Sequence, residues 1–318
     1  MPLGTNNVTV TTAATFIPEI WSDEIVAAYK KNLVLANLVM KMNFKGKKGD
    51  TVHIPAPYRG SASAKAASTA VTLIAATETE VQVSINKHYE YSRLIEDIVE
   101  AQALNSLRQF YTNDAGYALA KQVDSDLIQL GRSANGGTVD NARYAGGFIG
   151  GDGTTAFDYS ANSSTGNATA LTDAAIRRTI QRLDDNDTPM DGRFFIIPPS
   201  SRNTLMGLAR YTEQAFVGGT NSTIRTGEIG NLYGIPVFVS SNTDTASGSA
   251  GARVCLMGHR DSMVLVEQVA LRSQVQYKQE YLANLFTSDT LYGVQILRNA
   301  ASTGAAKSAS MFALLVPA

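Results

Sequence analysis

Few side chains in this sequence are of the kinds that do chemistry, and their spacing restricts what they can do. The histidines, His53, His88 and His259, stand far apart, and none has a cysteine neighbour or a second histidine at the helical step that puts two metal ligands on one face. They read as strand or turn residues, and no metal site is expected. Asp184, Asp185, Asp187 and Asp191 could gather a hard cation through carboxylate oxygens, but the glycine and the acidic twelfth ligand of an EF-hand loop are misplaced. They read as solvated turn carboxylates, with a metal-dependent hydrolase as the alternative. GGFIGGDG, residues 146–153, imitates a phosphate cradle, yet no Lys-Ser/Thr pair follows it and no helix begins at its end. No G-x-S-x-G elbow, Walker A loop or dinucleotide fingerprint occurs. Cys255, the sole cysteine, allows neither an intramolecular disulfide nor a multi-cysteine cage, and its neighbours Val254 and Leu256 make it a core residue. Neither a cofactor nor a catalytic residue is expected, so the chain reads as a non-enzyme.

Composition narrows the class further. Among 318 residues, 27 Lys and Arg stand against 28 Asp and Glu, a net charge of -1, so the basic excess that sequence-independent nucleic-acid binders use is missing. Charged residues make up 17%, against about 25% on average, which leaves much neutral surface suited to protein contacts. The beginning, MPLGTNNVTVTTAATF, lacks a basic stretch followed by an apolar run, and no stretch of about 18 apolar residues occurs. The expectation is a cytosolic chain at synthesis, with no membrane partner.

The elements that must position these residues follow from periodicity. Residues 1–15 are rich in Thr, Asn and Ala without a period, and are expected to be a loose arm ordered by a partner. Trp21, Ile25, Ala28 and Tyr29, with acidic residues in the first turn, predict an amphipathic helix from Pro18 to about Lys31. Val52 and Ile54 alternate with polar neighbours, as do Val81, Val83 and Ile85, which predicts two strands around the soft tip SASAKAASTA at 61–70. A two-stranded hairpin is marginal alone, so this one is expected to pack on a neighbouring subunit.

From Arg93 to Leu130 no proline occurs and apolar residues recur every three or four positions, which predicts one long helix, broken near its start, as the backbone of a flat domain. A Gly/Ser/Thr-rich stretch follows at 131–171. Thr172 caps a second predicted helix with the stripe Ile176, Ile180 and Leu183, and then come the strand Phe194–Ile197, a helix through Leu205, Leu208 and Tyr211, and the strand Val237–Val239. Beyond Cys255 strands are predicted at Met263–Val266, Leu271–Tyr277 and Val294–Leu297, with a Tyr281–Phe286 segment that could be helical. This order fits a mixed α+β architecture.

Four stretches, in this order, resemble the major capsid proteins of tailed phages with the Hong Kong 97-like fold. They are FIPEIWSDEIVAAYKKNLVLANLV at 16–39, RLDDNDTPMDGRFFIIPPS at 182–200, TGEIGNLYGIPVFVSSNT at 226–243 and LYGVQILRNAAS at 291–302. The resemblance covers most of the chain, and it marks Gly192, Arg193, Pro198, Gly227, Gly230, Gly234, Pro236 and Gly293 as fold-signature positions. It implies an N-terminal arm at 1–45, an extended loop at 46–90 and an axial domain at 172–258. A peripheral domain would join 91–171 to 259–318, with 131–171 as an insertion either exposed on the shell or in contact with a cement protein. Tyr58, Arg59 and Lys65 would then make intersubunit contacts from the extended loop, and Lys65 invites comparison with capsids that cross-link a lysine of this loop to an asparagine.

The implied function is self-assembly into hexamers and pentamers of an icosahedral head around double-stranded DNA, with only weak, non-specific contact to the packaged DNA. The arm is too short to hold the scaffold extension that some relatives carry, so a separate scaffolding protein is expected, together with a portal protein and, on some shells, a cement protein. An encapsulin-like nanocompartment is the alternative within the same fold. The implied location is the virion, with host cytoplasm during assembly.

Overall fold

Stripes of apolar residues at two periods, one near 3.6 and one of 2, sort this chain into helices and strands that bury one large core and a smaller cluster around Val83, Ile85, Val264 and Val266. A computed structural model describes residues 34–46, 48–56, 62–71, 73, 79–97, 106–133, 151–152, 168–208, 230–243, 252–297 and 310–317. The helices are α1 (Leu35–Leu38), α2 (Ser106–Ser133), α3 (Asp173–Asp185) and α4 (Pro199–Met206). The strands in the first part of the chain are β1 (Met40–Asn43), β2 (Thr51–Ala56), β3 (Thr79–Ser84) and β4 (Lys87–Glu96). Then come β5 (Arg193–Ile197), β6 (Asn231–Leu232), β7 (Ile235–Val239) and β8 (Ala252–His259). The last are β9 (Met263–Lys278), β10 (Ala283–Ile296) and β11 (Met311–Pro317).

Three sheets result. One has the order β1-β9-β10-β4, a second β11-β8-β5-β7-β6, and β2 and β3 form a separate two-stranded ribbon. All five residues of β5 are buried, as the run Phe194–Ile197 predicts for a strand flanked on both sides. Leu127 and Ile128 of α2, Ile176 and Leu183 of α3, the β5 side chains, Leu314 of β11 and Tyr292 of β10 belong to one continuous core cluster. The 28 residues of α2 make a rod of about 40 Å against which the first sheet lies. Among the described residues no helix is long and apolar enough to cross a membrane.

Several expectations hold. Thr172 caps α3 by accepting from the Ala175 amide, and Ile176 and Leu183 are buried on its inner stripe. The two strands predicted around the tip form, and they pair antiparallel with Val52 opposite Val83 and Ile54 opposite Val81. The predicted helix at 18–31 lies outside the described residues.

Others need correction. The long helix does not reach back to Arg93, because Arg93–Glu96 complete β4, where Tyr89 and Tyr91 alternate with Glu90 and Ser92 against β10. That alternation was hidden by the helix-compatible spacing further on. Tyr281–Phe286 is not helical: Tyr281 and Leu282 close a turn, and Ala283 onward pairs with both β9 and β4. Met263–Val266 and Leu271–Tyr277 are one strand of 16 residues. The final strand, Met311–Pro317, pairs antiparallel with β8, so it joins the sheet of β5 and β7 rather than the sheet of β9 and β10.

Gly293 shows how the sheet and the ribbon meet. A Cβ at this position would lie 2.4 Å from the Ser84 carbonyl oxygen and 3.2 Å from the Ile85 Cα. Among the described residues, no atom lies within 4 Å of a Cβ built at Gly230. Replacing Gly293 by Ala should therefore cost about 1 to 3 kcal/mol in urea unfolding, whereas Gly230→Ala should stay within about 0.5 kcal/mol of wild type. Equal effects would show that the close approach does not constrain the fold.

Candidate assembly surfaces

The ribbon β2–β3 is the element that leaves the body, and its base is built to hold it. Val83 and Ile85 are buried with Val264 and Val266, and Met42, Phe44, Val52, Ile54, Leu291 and Leu297 pack around them. The Ile85 amide donates to the Asp50 carbonyl at 2.7 Å, and the Gln268 side chain donates to the Gly49 carbonyl at 3.0 Å. Across the ribbon His53 and Glu80 are 2.9 Å apart, and Gln82 also donates to Glu80. Those two hydrogen bonds, Gln82 first, hold the Glu80 carboxyl below its ordinary pKa. The ribbon thus rests at its base on its own chain.

The tip is different. Residues 62–71 carry no regular structure, and all are exposed, Lys65 among them. Val71 and Leu73 are 68% and 88% exposed, far from the pattern of residues that satisfy themselves within a subunit. Lys65 has no carboxylate partner in the tip itself, where the described hydrogen bonds are those of Thr69 to the Ala66 carbonyl. Tyr58 and Arg59 lie outside the described residues.

A second exposed apolar surface was not anticipated. Leu271, Val275 and Tyr277 are each about half exposed on one face of β9, Leu94 is about half exposed on the opposite face of the sheet, and Tyr281 and Leu282 stand out from the β9–β10 turn. Leu282 has φ +46, a conformation that a branched side chain adopts only under constraint. The strands had been recognised in part, but a strand pattern does not reveal which face lacks a cover. Patches of this kind mark protein contacts.

Behind these surfaces polar anchors fix the body. Arg193, buried, donates to Asp184 at 2.7 Å and to the Thr188 and Pro189 carbonyls, tying the turn after α3 to β5. Gly192 takes φ +78, and a Cβ there would press on Arg260 and His259. The Asp261 amide donates to His259 Nδ1, so Nε2 carries the proton and donates to the Asp191 carbonyl at 2.7 Å. Gly192, Arg193 and His259 therefore form one bracket. Pro198 sits at the other end of β5 as the cap of α4. Tyr233 and Gly234, both at positive φ, make the two-residue turn between β6 and β7, with Pro236 opposite Asn231. Gly227 lies outside the described residues.

Two buried carboxylates were missed by sequence reasoning. Asp124 of α2 accepts from the Leu35 and Ala36 amides at 2.9 and 3.2 Å and from Asn242 at 3.0 Å, so it caps α1 from a distant helix. Burial raises its pKa despite those donors. Asp126 accepts from the Tyr292 hydroxyl at 2.7 Å and pairs with Lys87 at 3.0 Å. Nothing local distinguishes either aspartate from a surface residue of α2. Across the first sheet, Arg272 grips Asp289 with two hydrogen bonds, at 2.6 and 2.8 Å, which lowers the Asp289 pKa, and His88 adds to the effect.

The described histidines and carboxylates serve separate structural contacts. His53, His88 and His259 each serve a different contact, and Asp184 is engaged by Arg193. Among the described residues no group of three or more His, Cys, Asp or Glu side chains converges on one point. Cys255 is buried beside Ser201, and burial pushes its thiol up to about 12, so it stays protonated.

A test of the bracket is direct. Arg193→Met leaves two carbonyls and a carboxylate short of a donor and should lower stability by about 2 kcal/mol or more in urea unfolding. A change below about 0.5 kcal/mol would mean that solvent replaces the guanidinium at no cost.

With this geometry in place, the comparisons are clear. A family model described as phage capsid protein matches residues 78–291. Among solved structures, a chain from Mycobacterium phage Che8 superposes with a TM-score of 0.71 at 21% identity, over 98% of this chain and 98% of that one. A chain of the capsid of cyanophage P-SCSP1u gives 0.73 at 18% identity, over 99% and 96%. The capsid of the native GTA particle gives 0.64 at 12% identity, over 99% and 100%. At such identities the likeness establishes the fold, the mixed α+β architecture of Hong Kong 97-like capsid subunits. No curated protein sequence matches the chain.

Proposed function

As the chain belongs to the phage capsid protein family and is thus a structural shell protein of the virion, we propose that it is the major capsid protein and assembles as hexamers and pentamers into an icosahedral head around double-stranded DNA. The observation that carries this reading is the ribbon: a base locked to the first sheet and a tip, 62–71, whose residues are all exposed. A two-stranded hairpin is marginal by itself in water, and covering the tip adds to the stability that its packed base supplies. A closed shell of many copies supplies the cover, and each subunit is both donor and acceptor of a tip.

In this reading Tyr58, Arg59 and Lys65 meet the neighbouring subunit, and the arm at 1–45 reinforces the contact. The 172–258 segment lies toward the capsomer axis. Residues 91–171 and 259–297 lie toward the periphery, where the exposed apolar end of β4, β9 and the β9–β10 turn faces adjoining capsomers. The drive is burial of apolar surface at about 25 cal/mol per Å2, offset by the entropy of association. Many modest interfaces then make a stable particle. The protein acts through these contacts and not as an enzyme. Assembly takes place in host cytoplasm, with a scaffolding protein, a portal protein and, on some shells, a cement protein as partners.

Deleting residues 58–75 should leave a folded, soluble subunit with unchanged far-ultraviolet circular dichroism that makes no shells by negative-stain microscopy. Shells of normal size and heat stability from the deletion variant would defeat the proposal.

A further inference from the structure

The first described residues of the chain are pinned beside an apolar groove that stays open among the described residues. Asp124 of α2 accepts from the Leu35 and Ala36 amides at 2.9 and 3.2 Å, so the start of α1 is fixed against α2. Val123, next to that aspartate, lines the groove together with Gly116 and Ala120 of the same helix, Ala36 of α1, and Leu265 and Leu271 of β9. The groove encloses about 250 Å3. Leu271 reaches over α2, where a Cβ at Gly116 would lie 3.9 Å from its Cδ2, yet it is 52% exposed. Val275 and Tyr277 follow on the same face of β9, each about half exposed, so the apolar surface continues outward from the groove.

The sequence holds a segment of matching length and chemistry in the right place. In the predicted helix from Pro18 to about Lys31, Trp21, Ile25, Ala28 and Tyr29 fall at i, i+4, i+7 and i+8, which makes one apolar stripe. This segment lies outside the described residues, and only Asn32 and Leu33 separate it from Val34. The chain from Lys31 to Val34 spans at most about 10 Å, so the helix must end about one helix diameter from the pinned start of α1. A helix over 18–31 is about 21 Å long, and β9 from Leu265 to Leu271 spans about 20 Å.

We propose that the helix at 18–31 docks in this groove of its own chain, with Trp21, Ile25, Ala28 and Tyr29 turned onto α2 and β9. A helix of this length is marginal alone in water and draws its stability from packing its apolar stripe. A short tether holds it at an effective concentration of about millimolar, whereas the helix of a second copy would lose translational and rotational freedom on docking. Residues 1–17 are then left for contact with a neighbour, which divides the arm into a part held by its own body and a part offered to other copies. Docking of this kind takes place within a single chain and does not require shells to form.

Trp21 is the sole tryptophan, so its fluorescence reports on this helix alone. The experiment uses the purified, unassembled full-length subunit over a range of concentrations. Trp21 emission should be blue-shifted and shielded from acrylamide at every concentration, and amide exchange in 18–31 should be slowed about tenfold or more against the unprotected rate. Ala120→Glu and Leu271→Glu each change an exposed position of the groove. Both should return Trp21 and the 18–31 amides to the behaviour of an exposed segment, while exchange in β10 stays as slow as in wild type. Leu73→Gln, on the ribbon, should change none of these. Exposed Trp21 in the wild-type subunit overturns the proposal. So does shielding that appears only as concentration rises, because the groove would then hold the helix of a second copy. Shielding that survives both glutamate variants also overturns it, since the helix would then lie on another surface. Leu271→Glu decides alone should Ala120→Glu disturb β10. Failure of the wild-type chain to form shells would count against the capsid reading and leave these measurements as they are.

Discussion

The approach of β10 to the base of the hairpin is the constraint on which the rest of the structure depends. At Gly293 the backbone of β10 comes so near Ser84 that no side chain fits between them. This lets Val83 and Ile85 sink onto Val264 and Val266 and gives the ribbon a buried foot. Two strands alone bury too little to be stable in water, so without that foot the ribbon would have no defined direction. With it, the ribbon is joined to the body at its base, while the described residues of the tip stay open to solvent. Residues 62–71 are exposed along their whole length, and the β9–β10 turn and the ends of β4 and β9 repeat the pattern on another side of the body.

Much of this was legible in the residues themselves. The alternation of Val52, Ile54, Val81 and Val83 placed the two strands of the ribbon, and Thr172 with Ile176 and Leu183 placed α3 and its inner face. The apolar run of β5 announced a strand covered on both sides. Legibility failed where structure is set by distant partners. β4 was absorbed into a predicted helix because Leu94 and Ile95 suit either period, and only β10, some 190 residues later, decides for a strand. β11 carries apolar residues at every position, and nothing local says that its partner is β8.

The same holds for the candidate site residues. Gly192, Gly234 and Gly293 have physical reasons to be glycine, two from positive φ and crowding or turn geometry and one from the close approach. Gly230 has none among the described residues, where no atom lies within 4 Å of a Cβ at this position. Arg193 was marked by resemblance, but its role as donor to Asp184 and two carbonyls is visible only in three dimensions. Asp124 shows the limit most plainly. It is an aspartate on a long helix that turns out to cap a different helix, across 89 positions of sequence. The polar residues named above brace the body, and neutral or apolar side chains stand exposed at the described tip and at the β9–β10 turn.

The central claim is that the tip of the ribbon is completed by another copy. Hydrogen exchange of the peptide spanning residues 62–71, compared between free subunits and assembled shells, tests it most directly. The account predicts exchange near the unprotected rate in the free subunit and slowing of about tenfold or more in shells. Slow exchange already present in the free subunit, or equally fast exchange in both states, would contradict it.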